Sequence, residues 1–152
     1  MKKIIMILWI LWGGCSTGFA QIDTVSFPKE RQQIRELLHQ RKPDGVVDCS
    51  DFIAVGPKGD ISFSHQQWQA VQAKEKVVFK SVRIMPGHEI IRIYEGKVAV
   101  VNFLAAVNLL VDGRDVAIKV RRLEVYHQSP TGWCRVAGQG TQVDEQMFPV
   151  KE

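Results

Sequence analysis

The side chains that could do chemistry are few in this 152-residue chain, and they are widely spaced. Its histidines are His39, His65, His88 and His127. No two of them have the spacing typical of metal ligands, and the chain has no Cys-x-x-Cys motif. It also lacks the Gly-x-Ser-x-Gly turn that presents a nucleophilic serine. The sequence therefore predicts no metal site, no cofactor and no catalytic residue.

Asn102 and Arg121 are candidates for a ligand site because they are polar residues in long apolar strands. Asn102 lies in the predicted strand 97–110 and Arg121 in the predicted strand 115–127. A buried arginine needs an anionic partner. That partner is either a carboxylate of the scaffold, such as Asp51, or the acidic group of a ligand. The scaffold interpretation is favoured, since polar residues in strands mostly face water or pair with neighbouring strands.

Trp68 is the third ligand-site candidate and lies in the predicted helix 65–74. Together with Phe79 and Phe103 it is interpreted mainly as part of the hydrophobic core. The alternative is that these aromatic side chains form the wall of a pocket. Trp68, Asn102 and Arg121 are therefore the residues that we expect to line a pocket if the protein has one.

The N-terminus predicts export. Lys2 and Lys3 precede an apolar run, 4–12, and Gly18-Phe19-Ala20 supplies the small-x-small ending of a signal peptide, so residues 1–20 are predicted to be one. The apolar run is much shorter than the roughly 20 residues needed to span a bilayer. We therefore expect a cleaved signal and no transmembrane anchor.

Cleavage after Ala20 leaves residues 21–152 as one domain with a core at about 28–143, in a periplasmic or secreted protein. A lipid anchor on Cys15 is the weaker alternative, because Trp12 replaces the aliphatic residue usual three positions before such a cysteine. Loss of the two lysines of the signal lowers the net charge from +4 to +2. The remaining charges are of mixed sign, so no nucleic-acid partner is expected.

Two cysteines, Cys49 and Cys134, remain in the mature chain. In an oxidising compartment such a pair can form a disulfide, and two residues allow a single pairing. The alternative is that each is a small buried hydrophobic residue, as free cysteines commonly are. The sequence leaves both alternatives open.

The predicted elements run in the order helix, short hairpin, helix and then a long series of strands. The helices are 28–40 and 65–74, and the strands are 52–55, 61–63, 77–85, 88–95, 97–110, 115–127 and 133–143. Asp112-Gly113 between two long strands is a strong hairpin signal. The strand 97–110 is apolar on both faces, which predicts burial on both. Such a sheet covers one face with its helices, an α+β arrangement.

Three segments in this order carry a family resemblance. They are Asp51–Val55 followed by Gly59, Gly96–Val101, and Arg121–Tyr126 followed by Gly132–Thr141. This set resembles the nuclear-transport-factor-2-like superfamily, and within it the SnoaL-like group known as domain of unknown function 4440. The likeness covers roughly residues 30–143. The chain departs from the family in its short first helical region.

The resemblance implies a cone-shaped, cystatin-like fold, in which a curved antiparallel sheet packs on short N-terminal helices. Its members include steroid isomerases, polyketide cyclases, dehydratases and association domains, so the fold does not choose a function. In ketosteroid isomerases a base stands just before a proline. Gly56 occupies that position here, before Pro57, and glycine cannot take a proton. Asp51 or Asp60 would have to replace the base.

Three functions remain open. The first is an exported module that binds a small apolar or amphipathic molecule or forms a homodimer, for which strands 97–110 and 115–127 offer apolar surface. The second is an isomerase, cyclase or dehydratase acting on a small carbonyl compound, with an acid–base pair such as Asp51 with Tyr94 or Arg121. The third is a structural or interaction role without a ligand, for which a filled cone would be the sign.

Overall fold

The computed structural model describes residues 22–39, 48–56 and 59–146. The predicted signal peptide and Cys15 lie outside the described residues. The elements are α1 (Pro28–His39), β1 (Asp48–Val55), β2 (Ile61–Ser62), α2 (His65–Lys74), β3 (Val77–Ile84), β4 (Ile90–Tyr94), β5 (Val98–Val111), β6 (Arg114–Ser129) and β7 (Gly132–Gln142). The predicted order is confirmed. The largest difference is at β1, which begins at Asp48 and not at residue 52.

The seven strands form one sheet in the order β2-β1-β7-β6-β5-β3, and β4 also pairs with β5. β5 and β6 pair without interruption from Val98↔His127 to Val111↔Arg114. The Asp-Gly turn between them has positive φ at both residues, 49° and 77°, which is the geometry that a two-residue hairpin requires. The pairing of β1 with β7 is parallel, and the other pairings are antiparallel.

The face of the sheet on which α1 packs is called the inner face here. Successive residues of a strand point to opposite faces, so β5 alternates between the inner face and its opposite, the outer face. The inner-facing residues Ala99, Val101, Phe103, Ala105 and Val107 of β5 are buried. Ile34 and Leu38 of α1 and Ile91 and Ile93 of β4 pack against them. The hydrophobic core therefore lies between α1 and the inner face.

Neither α1 nor α2 packs on the outer face. On β5 the outer-facing Leu104 is buried, but Val98, Val100 and Ala106 are only partly buried. The expectation that this strand is buried on both faces is therefore wrong for most of its outer face. An apolar sequence can predict burial, but it does not show whether the covering element belongs to the same chain.

Helix α2 contacts β1 and β2 at one end of the strand order and β3 at the other end. One short helix can contact both ends because the sheet is curved. The backbone N–H of Gln67 donates to the Ser64 hydroxyl at 3.2 Å, and this hydrogen bond caps the start of the helix. No residue of α2 is buried.

Cys49 of β1 and Cys134 of β7 form a disulfide on the outer face. The alternative of two free cysteines is therefore wrong. Asp48 and Arg135, the neighbouring residues along each strand, are paired in register and point to the inner face. The disulfide on the outer face thus joins β1 to β7 next to the Asp48–Arg135 ion pair, which lies on the inner face of the same two strands. Among the described ranges, no helix is long and apolar enough to cross a membrane.

Candidate functional site

Glu124, in the middle of β6, is a fully buried carboxylate on the inner face. Its Oε1 accepts hydrogen bonds from Arg122 Nη2 at 2.8 Å and from Arg135 Nη1 at 3.0 Å. Its Oε2 accepts a hydrogen bond from the Tyr126 hydroxyl at 2.6 Å. A buried carboxylate is costly unless it is paired and hydrogen-bonded. These three donors meet that requirement and keep Glu124 anionic.

Arg135 extends this set of charges towards β1 and α2. Its side chain is 7 % exposed, and its Nε donates to Asp48 Oδ1 at 2.8 Å. The guanidinium also lies over the ring of Phe52, 4.7 Å from its centroid. Asp48 Oδ2 is 2.7 Å from Nδ1 of His65, the first residue of α2. A continuous chain of polar contacts therefore runs from the start of α2 to the centre of the sheet.

Arg122 lies at the end of this series of polar contacts, and its side chain is 26 % exposed. Its Nε and Nη2 both donate to Glu124 Oε1, whereas its Nη1 has no acceptor among the residues that the structure describes. It can lie flat on β7 because Gly138 and Gly140 have no side chains. A Cβ at Gly138 would be 3.2 Å from Nη2, and one at Gly140 would be 3.0 Å from Nη1.

The two glycines of β7 therefore leave room for a guanidinium. The β6–β7 register shifts between Val125 and Tyr126, whereas Glu124↔Gly138 and Arg122↔Gly140 pair regularly.

Beyond Arg122 the inner face becomes apolar, and it is exposed along β3 although Val107 and Leu109 of β5 stay buried. Val120 and Ile118 of β6 are only partly buried, and Phe79 and Val82 of β3 are 45 % and 48 % exposed. Register places these side chains on one face, through the pairs Phe79↔Leu109, Val82↔Val107 and Val107↔Ile118. We call this region the open half of the inner face. The region around Glu124, Tyr126 and Phe103, under α1, is called the sealed half.

Trp68 lies at the edge of the open half. Its ring stacks on that of Phe79, with centroids 6.3 Å apart. Trp68 is partly exposed, so the interpretation of Trp68 and Phe79 as core residues is wrong. The same interpretation is confirmed for Phe103, which is fully buried.

Asn102 and Arg121 lie on the outer face, so the structure does not bring them together with Trp68. Arg121 Nη1 contacts the carbonyl oxygen of His88 at 3.4 Å and Asn102 Oδ1 at 3.5 Å. Asp51 is exposed and does not pair with Arg121, so that suggested partner is wrong. The arginine on the inner face is Arg122. Its signal in the sequence was its alternation with the acidic residue two positions later, opposite a Gly-x-Gly segment.

Asp60 stands next to the position where the resemblance would place a base. A Cβ on Gly56 would be 2.3 Å from Asp60 Oδ1, so this carboxylate fills the space that a side chain at position 56 would take. The backbone keeps it there, because Gly56 N–H donates to the Asp60 carbonyl oxygen at 2.9 Å. A carboxylate is therefore present where the sequence shows only a glycine.

Residues 22–27, which precede α1, lie at the edge of the sealed half. Arg31 is 5 % exposed and donates hydrogen bonds to the carbonyl oxygens of Ile91 and Asp23. Asp23 Oδ1 accepts the backbone N–H groups of Ser26 and Val25, each at 2.9 Å. These two hydrogen bonds, with a smaller contribution from the Arg31 charge, lower the pKa of Asp23 to about 2.

No protein-family model matches the chain, and no curated protein matches it either. Solved structures do match. One is a nuclear-transport-factor-2-like protein of unknown function from Prochlorococcus marinus, with a TM-score of 0.63 and 12 % identity over 78 % of this chain and 98 % of that one. Another, from Exiguobacterium sibiricum, is named for the calcium/calmodulin-dependent kinase II association domain, with a TM-score of 0.59 and 15 % identity over 76 % and 94 %.

A third matching structure, from Parabacteroides distasonis, is named for ketosteroid isomerase, with a TM-score of 0.52 and 17 % identity over 76 % of this chain and 86 % of that one. Other matches are described by their cystatin-like fold. The chain therefore has the nuclear-transport-factor-2-like, cystatin-like fold that its sequence pattern predicts.

Proposed function

We propose that the mature protein is an exported domain that binds a small apolar or amphipathic molecule in the open half of its inner face. One observation carries this proposal: Phe79 and Val82 are about half exposed on a face whose other half is fully packed. Helix α2 spans this region without burying any of its own residues. Apolar surface on the concave side of a fold, next to a few polar groups, is typical of small-molecule sites.

Export is supported by two features. The signal-peptide pattern of residues 1–20 predicts translocation. The Cys49–Cys134 disulfide fits an oxidising compartment, because reducing compartments keep such pairs as thiols. We therefore assign the protein to the periplasm or the extracellular space.

We test ligand binding by native mass spectrometry of the protein purified from its export compartment, followed by denaturation to release any bound molecule. Val82→Asp places a charge in the open half and should abolish retention of the molecule. Val78→Asp is the matched control, since Val78 is also about half exposed on β3 but faces outward. Equal retention by both variants and the wild type, or no retained molecule and no binding of added apolar compounds, would overturn the proposal.

The outer face supports a homodimer. Ile90, Tyr94 and Leu123 expose 41 %, 48 % and 43 % of their surface there, on strands that no described helix covers. Apolar patches of this kind mark protein interfaces. Leu123→Lys should convert a dimer to a monomer in sedimentation velocity, whereas Gln66→Lys on the exposed side of α2 should not. A wild-type monomer at every concentration would refute the dimer.

Acid–base catalysis on a small carbonyl compound is a second candidate function, favoured by the position of Asp60 beside Gly56. A carboxylate base would exchange the α-protons of a small ketone with solvent. We would follow this exchange in deuterium oxide by NMR. An enzyme would lose it in Asp60→Asn and keep it in Asp115→Asn, which alters an exposed carboxylate of β6. The absence of exchange in the wild type for a series of ketones would exclude the function.

A further inference from the structure

We propose that the ligand of the open half is an amphipathic monocarboxylate, with its acid group bound by Arg122 and its apolar body lying along β6 towards Phe79. This inference rests on the proposed binding function and adds the chemical class of the ligand. It follows from the way in which the structure holds Arg122, and from what surrounds that residue on the inner face.

The Arg122 guanidinium is fixed in place before any ligand arrives. Glu124 Oε1 holds its Nε and Nη2, at 3.3 Å and 2.8 Å. The side chain is nevertheless 26 % exposed, and Nη1 has no acceptor in the described part of the chain. Guanidinium groups bind carboxylates with well-defined geometry, and a group that is already oriented loses little freedom on binding.

The glycines of β7 keep Nη1 accessible. A side chain at Gly140 would place its Cβ 3.0 Å from Nη1 and 3.1 Å from Val120 Cγ1. A side chain at position 140 would therefore force the guanidinium or Val120 to move by a few tenths of an ångström. The charges of the buried set balance, since Arg122 and Arg135 face Glu124 and Asp48. The attraction for an acid thus comes from a directed N–H donor and not from excess positive charge.

An apolar path leads away from Arg122. Val120 and Ile118 follow on the same face of β6, and the four residue-to-residue steps from Arg122 to Ile118 cover roughly 13 Å of extended strand. Val82 and Phe79 continue the path on β3. Between Arg122 and Val116 the inner-facing residues of β3, β5 and β6 are apolar, whereas Arg114 of β6 and Gln142 of β7 border this stretch. Arg122 is therefore the polar anchor at one end of the path, and a medium-chain body matches the path.

The experiment compares decanoate with methyl decanoate by isothermal titration on the mature, oxidised protein. A single charge-assisted hydrogen bond corresponds to about a tenfold or larger difference in affinity, so decanoate should bind at least about tenfold more tightly than its ester. Arg122→Met keeps the apolar stem of the side chain and should remove this preference while leaving the affinity for the ester unchanged. Arg83→Met, an exposed outward-facing arginine on β3, controls for the loss of one positive charge.

Gly140→Ala provides a second test that keeps every charge. Its methyl group forces the guanidinium to shift, so the affinity for decanoate should fall. Circular dichroism and thermal melting of each variant establish that it is folded, and Gly140→Ala remains decisive if Arg122→Met does not fold.

Three results would overturn the inference. Equal affinities for acid and ester, unaffected by Arg122→Met, would leave the binding function standing without an acid site. Equal losses in Arg122→Met and Arg83→Met would show a nonspecific charge effect. If neither probe binds but native mass spectrometry finds a retained molecule, the ligand class is wrong and the binding function stands. If that molecule is also missing, both proposals fail.

Discussion

The two halves of the inner face share β5 and β6 and yet differ in packing. Phe103 on β5, in the sealed half, is fully buried, whereas Phe79 on β3, in the open half, is 45 % exposed. The difference lies in the helices. Helix α1 buries Ile34 and Leu38 against the sealed half. Helix α2, over the open half, has no buried residue of its own. A curved sheet can therefore hold the fold together at one end and leave apolar surface for a ligand at the other.

Arg122 marks the boundary between the halves. Its Nε and Nη2 donate to Glu124 in the buried charge network of the sealed half, and its side chain is 26 % exposed next to the open half. The sealed half thus has a second task besides stability, because it orients a polar group for its neighbour. The predictions below separate stability from binding along this boundary.

The largest expected effect comes from the matched pair of phenylalanines. Phe103→Ala should lower the free energy of unfolding by about 4 kcal/mol, because it leaves a cavity in a packed core. Phe79→Ala should lower it by about 1 kcal/mol or less, since that side chain is already half in solvent. Urea denaturation measures both. Similar losses for the two variants would break the distinction between the halves.

The next effect concerns the buried carboxylate. Glu124→Gln keeps the volume but removes the charge that Arg122 and Arg135 share, and it should cost about 3 kcal/mol of unfolding free energy. The surface substitution Glu145→Gln, which removes a partner of Lys119, should cost no more than about 0.5 kcal/mol. A neutral result for Glu124→Gln in denaturant titrations would show that the network does not stabilise the sealed half.

Reduction of the disulfide should lower the unfolding free energy by about 2–3 kcal/mol, because the bond closes a loop between cysteines 85 positions apart. It should also weaken ligand binding, since Cys49 and Cys134 adjoin the Asp48–Arg135 pair that supports Arg122 through Glu124. The Cys49→Ser/Cys134→Ser double variant, insensitive to reductant, is the control. Unchanged stability on reduction, followed by thermal melting, would contradict this role.

A binding effect without a stability effect is expected in the open half. Ile118→Ser should weaken binding of an apolar ligand about tenfold, on the order of the transfer free energy of the methyl and methylene groups it removes. It should change the melting temperature less than Phe103→Ala does. A large loss of stability with unchanged affinity, measured by calorimetric titration, would place Ile118 in the packed core.

The smallest effect is a pH dependence at the edge of the sealed half. Hydrogen bonds lower the pKa of Asp23 from 3.8 to about 2, so its ionised form stabilises the fold above about pH 4. This contribution is lost as the pH falls from about 4 to about 2. The melting temperature of Asp23→Asn should therefore lie slightly below that of the wild type at neutral pH, and the two should converge at pH 2. A difference that stays constant with pH would contradict this assignment.

Much of the fold was predictable because it depends on local pattern. The helix bounds followed from Pro28 and Ser64, and the hairpin followed from Asp112-Gly113. Alternation also places Val120, Arg122 and Glu124 on one face of β6 and Arg121 on the other. The two cysteines allowed a single pairing, so the disulfide needed only an oxidising environment.

The candidate site was much less predictable. A period of two shows which residues share a face, but it does not show which face a helix will cover. Sequence reasoning therefore chose Arg121, and the structure places Arg122 on the inner side. The partners of the network are also distant in sequence, since Arg135 and Asp48 are 87 positions apart.

The sequence by itself determined the order of the elements, the turn between β5 and β6 and the set of residues on each side of each strand. These features depend on local conformational preference and on patterns within about ten residues. Only the tertiary structure decided which side became the core, how far α1 covers it, and that Arg122 meets an open apolar path. Those outcomes depend on the curvature of the sheet and on contacts between segments far apart in the chain, which no local pattern encodes.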